Sequence, residues 1–278
     1  MKNLFASLFM LWAIFCIMPG QAISQVIDDE PLVITGKYHG LSRPLRELPQ
    51  LTEDEFNALV EKGKNRLRSQ SWEPKQRLYP FAETALPKDG DPIRQTEMGT
   101  VQNRPVFLNF DGQTSPYKPS DVNGDVNETH YFQTINTVYA IYNKTGQLVA
   151  GPTNLNLLFE GVTGSQYNDG DPIVLWDEAA QRWLVAEFSV TGSNDYMLVA
   201  VSTTADPTGT WHRYSFDVDD MPDYPKLGVW RDGYYMGTNT STAGRKDIYV
   251  LERSKMLTGA TAQMVGFKNS LRPNSGFG

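Results

Sequence analysis

A repeat about fifty residues long constrains this chain more than any other feature. Asp171-Pro172-Ile173-Val174-Leu175-Trp176-Asp177 leads to Arg182-Trp183, and Asp223-Tyr224-Pro225-Lys226-Leu227-Gly228-Val229-Trp230 leads to Gly233-Tyr234-Tyr235. Each copy is a short apolar strand, an Asp-bearing polar turn and a second aromatic strand. Repeats of this length form units that cannot bury their own faces and must stack on their neighbours. The chain is therefore read as all-β, a β-propeller of four-stranded blades. Ile173–Trp176 and Leu227–Trp230 are expected to be equivalent inner strands, with Trp176 and Trp230 at equivalent positions.

The partial propeller is expected over 105–278, with blades at about 130–165, 171–216 and 224–267. In the second blade the strands read Ile173–Trp176, Trp183–Phe188, Met197–Ser202 and Trp211–Phe216. In the third they read Leu227–Trp230, Tyr234–Asn239, Ile248–Glu252 and Gln263–Phe267. About three blades are too few for a ring, since closed propellers have about four to eight. The sequence is accordingly expected to be incomplete, the remainder of a longer chain missing, with strand edges left open.

Residues 1–24 have the pattern of a signal peptide: Lys2, the apolar run from Leu4 to Met18, Pro19-Gly20, then Ala22-Ile23-Ser24. The mature chain is expected to be secreted, extracellular or at the cell surface, with no transmembrane segment. Its one cysteine, Cys16, lies inside the leader, so the mature chain has no disulfide, thiolate nucleophile or cysteine-ligated metal. Loss of Lys2 leaves 24 basic against 32 acidic side chains, a formal charge of −8. That balance argues against nucleic acid as a partner.

Residues 25–104 are expected to form an N-terminal helix and an extended arm. Thr52-Glu53-Asp54-Glu55 is a capping box, and Phe56, Leu59, Val60 and Leu67 recur at helical spacing. Pro74, Pro80, Pro87 and Pro92 then rule out regular structure, which gives the arm.

Several segments resemble a group of large, mostly uncharacterised secreted bacterial β-propeller proteins. The resemblance is carried by Gly170-Asp171-Pro172-Ile173-Val174-Leu175-Trp176-Asp177, by Asp223-Tyr224-Pro225-Lys226-Leu227-Gly228-Val229-Trp230 and by Ala140-Ile141-Tyr142-Asn143-Lys144-Thr145-Gly146. It implies the fold and export, and it brings no activity with it. Thr204-Ala205-Asp206-Pro207-Thr208-Gly209-Thr210-Trp211 is similar, more distantly, to the Asp-box turn of sialidase and five-bladed glycosidase propellers. There Asp206 is expected to accept turn N–H groups and Trp211 to pack between sheets.

Candidate chemistry is sparse. No nucleophile elbow, P-loop or zinc-binding His-Glu-x-x-His motif is present. Inner-strand ends converge at a propeller axis, which makes Asp171 and Asp223 the candidate catalytic carboxylates and Asp169, Lys226 and His130 the candidate ligand contacts. Asp121, Asn123 and Asp125 space oxygen ligands as calcium loops do, without the glycine and bidentate Glu of an EF-hand. Asp217, Asp219 and Asp220 crowd a short loop where Ca2+ would relieve like-charge repulsion. No cofactor is otherwise required. The leading functional expectation is a recognition module for a glycan or protein ligand. A glycoside hydrolase with axial Asp carboxylates and a structural scaffold within a larger surface protein are the alternatives.

Overall fold

A computed structural model describes residues 30–59, 61, 97, 99, 108–114, 119–192, 194–239 and 245–268. The expected signal peptide, the expected helix position Leu67 and nearly all of the proline-rich arm lie outside the described residues.

Three antiparallel sheets carry the fold. Sheet one is the meander β3 (Asn123–Val126), β4 (His130–Ile135), β5 (Val138–Asn143) and β6 (Leu148–Asn154). Sheet two consists of β7 (Gly170–Asp177), β8 (Arg182–Val190), β9 (Asp195–Ser202) and β10 (Trp211–Val218). Sheet three contains β11 (Asp223–Val229), β12 (Tyr234–Asn239), β13 (Ile248–Leu251) and β14 (Gln263–Phe267). Sheet one thus begins at Asn123, ahead of the expected 130, because the acid-rich stretch taken as a loop is its first strand.

Sheet two is the middle layer, and its sequence reflects that. Along β8, Trp183 and Val185 pack toward sheet one while Leu184, Ala186 and Phe188 pack toward sheet three. With both faces covered, the strand reads as a nearly continuous apolar run. β12 instead alternates between buried Tyr234 and Met236, facing sheet two, and the exposed Tyr235. Trp183 and Trp211 are fully buried between sheets one and two, where Phe132 meets them at ring-centroid distances of 5.9 Å. Each such side chain contributes about 3–5 kcal/mol against truncation to alanine.

Trp176 and Trp230 are not equivalent. Trp176 pairs with Trp183 across β7 and β8 and faces sheet one; the residue in that place in sheet three is Val229, which pairs with Tyr234. Counted from Pro172 and Pro225, Trp230 falls one residue further on, and a one-residue offset turns a side chain to the opposite face. Trp230 is accordingly 65% exposed.

The N-terminal segment is a strap that the sequence reading missed. β1 (Leu32–Thr35) pairs with β14 as a fifth strand of sheet three, and β2 (Lys37–Leu41) pairs with β10 as a fifth strand of sheet two. The strap then reaches sheet one, where Leu51 N–H donates to Pro152 O (2.8 Å) and Thr153 Oγ1 donates to Pro49 O (3.0 Å). The outer edges expected to be open are thus covered. Periodicity hid these strands: only Ile34 is buried in β1, and none of β2 is. The helix α1 that follows, described over 53–59, has the expected cap. Thr52 N–H donates to Glu55 Oε2 (2.8 Å) and Glu55 N–H donates to Thr52 Oγ1 (3.2 Å).

A buried ion pair ties sheet two to sheet three. Arg253, in the short helix α2 (Arg253–Met256), bonds Asp177 through Nε (2.6 Å) and Nη2 (2.9 Å). Tyr234 OH and Ala180 N–H donate to the same carboxylate, each at 3.0 Å.

Candidate functional site

β3, β7 and β11, the first strands of the three sheets, lie beside one another, and each has a residue with a left-handed backbone at or just before its start. These are Asp121 (φ 39°), Asp171 (φ 48°) and Tyr224 (φ 50°). Val122, Pro172 and Pro225 follow them in the same order. In β7 and β11 the register shifts at this point, between Gly170 and Ile173 and between Asp223 and Lys226. Positive φ in non-glycine residues costs of order 1–3 kcal/mol and persists only where surrounding bonds enforce it.

A hydrogen-bond relay supplies that enforcement. Asn136 Nδ2 donates to Asp121 Oδ2 (2.7 Å), Asp171 N–H donates to Asn136 Oδ1 (3.0 Å), and Tyr224 N–H donates to Asp171 Oδ2 (3.1 Å). The relay therefore crosses all three sheets. Gly170, at φ 111°, makes it possible: a Cβ there would lie 1.8 Å from Asn136 Oδ1. Further along, Asn123 Oδ1 and Asp125 Oδ2 accept the N–H groups of Val174 (2.8 Å) and Trp176 (2.6 Å). Polar side chains of β3 thus satisfy the edge of β7, the last strand in the order of sheet two.

These residues enclose a pocket of about 190 Å3 lined by Asp121, Asn123, Asp171, Pro172, Tyr224 and Lys226, among others. Lys226 Nζ sits 3.5 Å from the centroid of the Tyr224 ring and donates to Pro225 O (3.2 Å). Burial pushes the Asp171 carboxyl up to about 6, and the negative charge of the neighbouring Asp121 adds to the rise. The Tyr224 N–H pulls in the other direction, while Asp223 contributes a smaller repulsion.

The structure brings Asp171 and Lys226 to the lining of one pocket, together with Asp121. Asp223 lies near Asp171 but outside that lining, and Asn239 Nδ2 donates to it at 3.4 Å. His130 lies at the far end of sheet one. Register pairs Asn123 with Thr134 and Val126 with Tyr131, so His130 falls beyond the opposite end of β3, where its Nδ1 meets Thr129 Oγ1 (2.8 Å). Asp169 Oδ2 accepts Val190 N–H (2.7 Å).

The proposed calcium ligands divide between two places. Asp121, Asn123 and Asp125 serve as the latches just described. Asp217 accepts from Asn194 Nδ2 (2.9 Å), Asp219 pairs with Arg245 (3.5 Å), and Asp220 raises the pKa of the nearby Asp195 after burial, with Asp217 and Asp169 adding to it. Among the described residues no three His, Cys, Asp or Glu side chains are gathered as a metal site. The near-Asp-box turn behaves as expected: Asp206 Oδ1 accepts Thr208 N–H (2.8 Å) and Trp211 is buried.

Two features escaped the sequence reading. Asn136 carries the relay, yet it looks like an ordinary turn residue after an apolar strand. Glu187 stands in the apolar run of β8, fully buried with no hydrogen-bond partner on either carboxylate oxygen. Burial, and then Asp169, raises its pKa well above the ordinary value.

No protein-family model, no curated protein and no solved structure matches this chain.

Proposed function

We propose that the three sheets are blades of a β-propeller-type array, that the chain is exported, and that it acts at the cell exterior as a recognition module. The ligand, a glycan or a protein group, seats in the pocket where the inner strands begin. The observation that carries this reading is how the pocket carboxylates are used. Asp121 accepts from Asn136 Nδ2 and Asp171 accepts the Tyr224 N–H, so both carboxylates are committed to bonds between sheets. A glycosidase instead keeps one carboxyl free to protonate the leaving group and the other free to attack or to activate water. Carboxyl groups fixed by intersheet bonds make a rigid polar cup of the kind that binding sites need.

Glycoside hydrolysis is the second reading, favoured by one fact: a carboxyl raised to about 6 is what a general acid requires. The deciding experiment pairs a glycan-binding screen with a hydrolysis panel, on the wild type and on Asp171→Asn and Asp223→Asn. Binding lost in Asp171→Asn, with no turnover by any form, supports recognition. Turnover abolished by both substitutions in folded protein sinks it in favour of hydrolysis, and neither binding nor turnover leaves a structural scaffold.

A further inference from the structure

At about 190 Å3 the pocket beside Asp121 and Asp171 is small, since pockets for drug-sized ligands run to about 300–1,000 Å3. It has room for one compact unit. Its polar groups divide into acceptors and donors. Asp121 Oδ2 and Asp171 Oδ2 are taken up by Asn136 Nδ2 and the Tyr224 N–H, and each carboxylate keeps a second oxygen outside those bonds. Asn123 commits its Oδ1 to the Val174 N–H, whereas its Nδ2 has no partner among the described residues. Lys226 is exposed, and its ammonium donates to Pro225 O while resting on the Tyr224 ring. Buried Pro172 and Ile173 add an apolar wall.

These groups select the ligand by what it must both give and take. An ammonium has no lone pair for Asn123 or Lys226, and it would lie against the Lys226 charge. An anion has nothing to donate to the carboxylates and would be repelled by both, with Asp223 close behind Asp171. A hydroxyl donates and accepts. Neighbouring hydroxyls on one ring can donate to the remaining carboxylate oxygens and accept from Asn123 and Lys226, so that no polar group of the cup is left unpaired. Lys226 covers one face of the Tyr224 ring, which leaves hydrogen bonds rather than stacking on that face to hold the ligand.

The geometry points to an uncharged sugar as the occupant: the pocket seats one neutral monosaccharide ring, the terminal residue of a glycan, through adjacent hydroxyl groups. The inference rests on the reading of this pocket as a recognition site and narrows it to one ligand class.

Titration calorimetry and saturation-transfer NMR on the full chain, with a panel of neutral methyl hexosides and their uronic-acid and 2-amino counterparts, test this. At least one neutral glycoside is expected to bind with a Kd of about millimolar, as suits so small a ligand, and its charged counterparts at least about tenfold more weakly. Lys226→Met removes an exposed side chain and is expected to keep the wild-type melting temperature, to weaken the neutral sugar about tenfold, and to narrow its advantage over the amino sugar. A uronic acid or amino sugar that binds more tightly than its neutral parent, and does so through Asp171 as judged by Asp171→Asn, overturns the inference and leaves recognition at the pocket standing. A neutral sugar whose affinity is the same in wild type, Lys226→Met and Asp171→Asn sits elsewhere and overturns it too. If no glycoside binds the wild type, the inference is overturned, and the glycan screen then decides separately whether recognition survives.

Discussion

Replacing Asp177 by alanine tests how firmly sheets two and three are joined. The Asp177 side chain is fully buried and that of Arg253 is 12% exposed, so little water is at hand to replace the carboxylate. The substitution strips Arg253 of both close contacts, Tyr234 OH of its acceptor, and Ala180 N–H of the oxygen that fixes the turn after β7. Removing one partner of a buried pair typically costs about 3–5 kcal/mol, because the remaining charge is left uncompensated. At about 2–4 °C per kcal/mol for a domain of this size, the melting temperature should fall by about 6–20 °C. Asp177→Asn keeps an acceptor for Tyr234 and should lose about half as much. The pH dependence has a defined sign. Burial opposes the charge on Asp177, but Arg253, Ala180 N–H and Tyr234 outweigh it and hold the pKa below the ordinary carboxylate value. The pair's stabilisation is therefore complete above that ordinary value and is lost as pH falls through the lower folded one. Thermal melts between pH 3 and 7, wild type against Asp177→Ala, read both quantities. A difference below about 1 kcal/mol at pH 7 would refute the reasoning, since only a solvent-exposed pair is worth so little.

Gly170→Ala should destabilise the fold by about 2–4 kcal/mol in urea titrations, because the new methyl collides with Asn136 Oδ1 and the backbone there is left-handed; a neutral result would mean that the relay is dispensable. Glu187→Gln should leave stability unchanged at low pH and make the protein more stable than wild type as pH rises through the raised folded pKa of Glu187, where the wild type must ionise a buried carboxyl. Parallel urea midpoints from pH 5 to 9 would count against a neutral Glu187. Removing residues 31–41 should expose the edges of β10 and β14 and turn a monodisperse sample aggregation-prone by light scattering; unaltered scattering would show that those edges need no cover.

What the sequence disclosed followed physical signal strength. The apolar strands of sheets two and three were readable, since Trp183 to Phe188 and Met197 to Ser202 must be apolar on both faces. The capping box at Thr52 and Glu55 was readable because it is local. β1 and β2 were not, because backbone edge pairing needs no particular side chains, and neither was β3, whose Asn and Asp residues look like a loop until the edge they satisfy is seen. Asp171 was found through its proline, whereas the place of Asp121 beside it was hidden because Val122 stands where the other two repeats have proline. The one-residue offset of Trp230 shows the limit of matching by residue type: the tryptophan aligned by eye, but the strand's two-residue period decided which way it points.

The strap also sets a constraint on time. Leu32 pairs with Gly266 and Tyr38 with Tyr214, partners separated by most of the chain. As the polypeptide emerges, β1 has no edge to join until the third sheet exists and β2 none until the second does, and along the strap the sheets are met in the reverse of chain order: third, second, first. Closing loops of that length before any contact rewards them slows folding. Residues 32–41 should therefore be among the last to gain hydrogen-exchange protection, so that the beginning of the chain completes the structure its end makes possible.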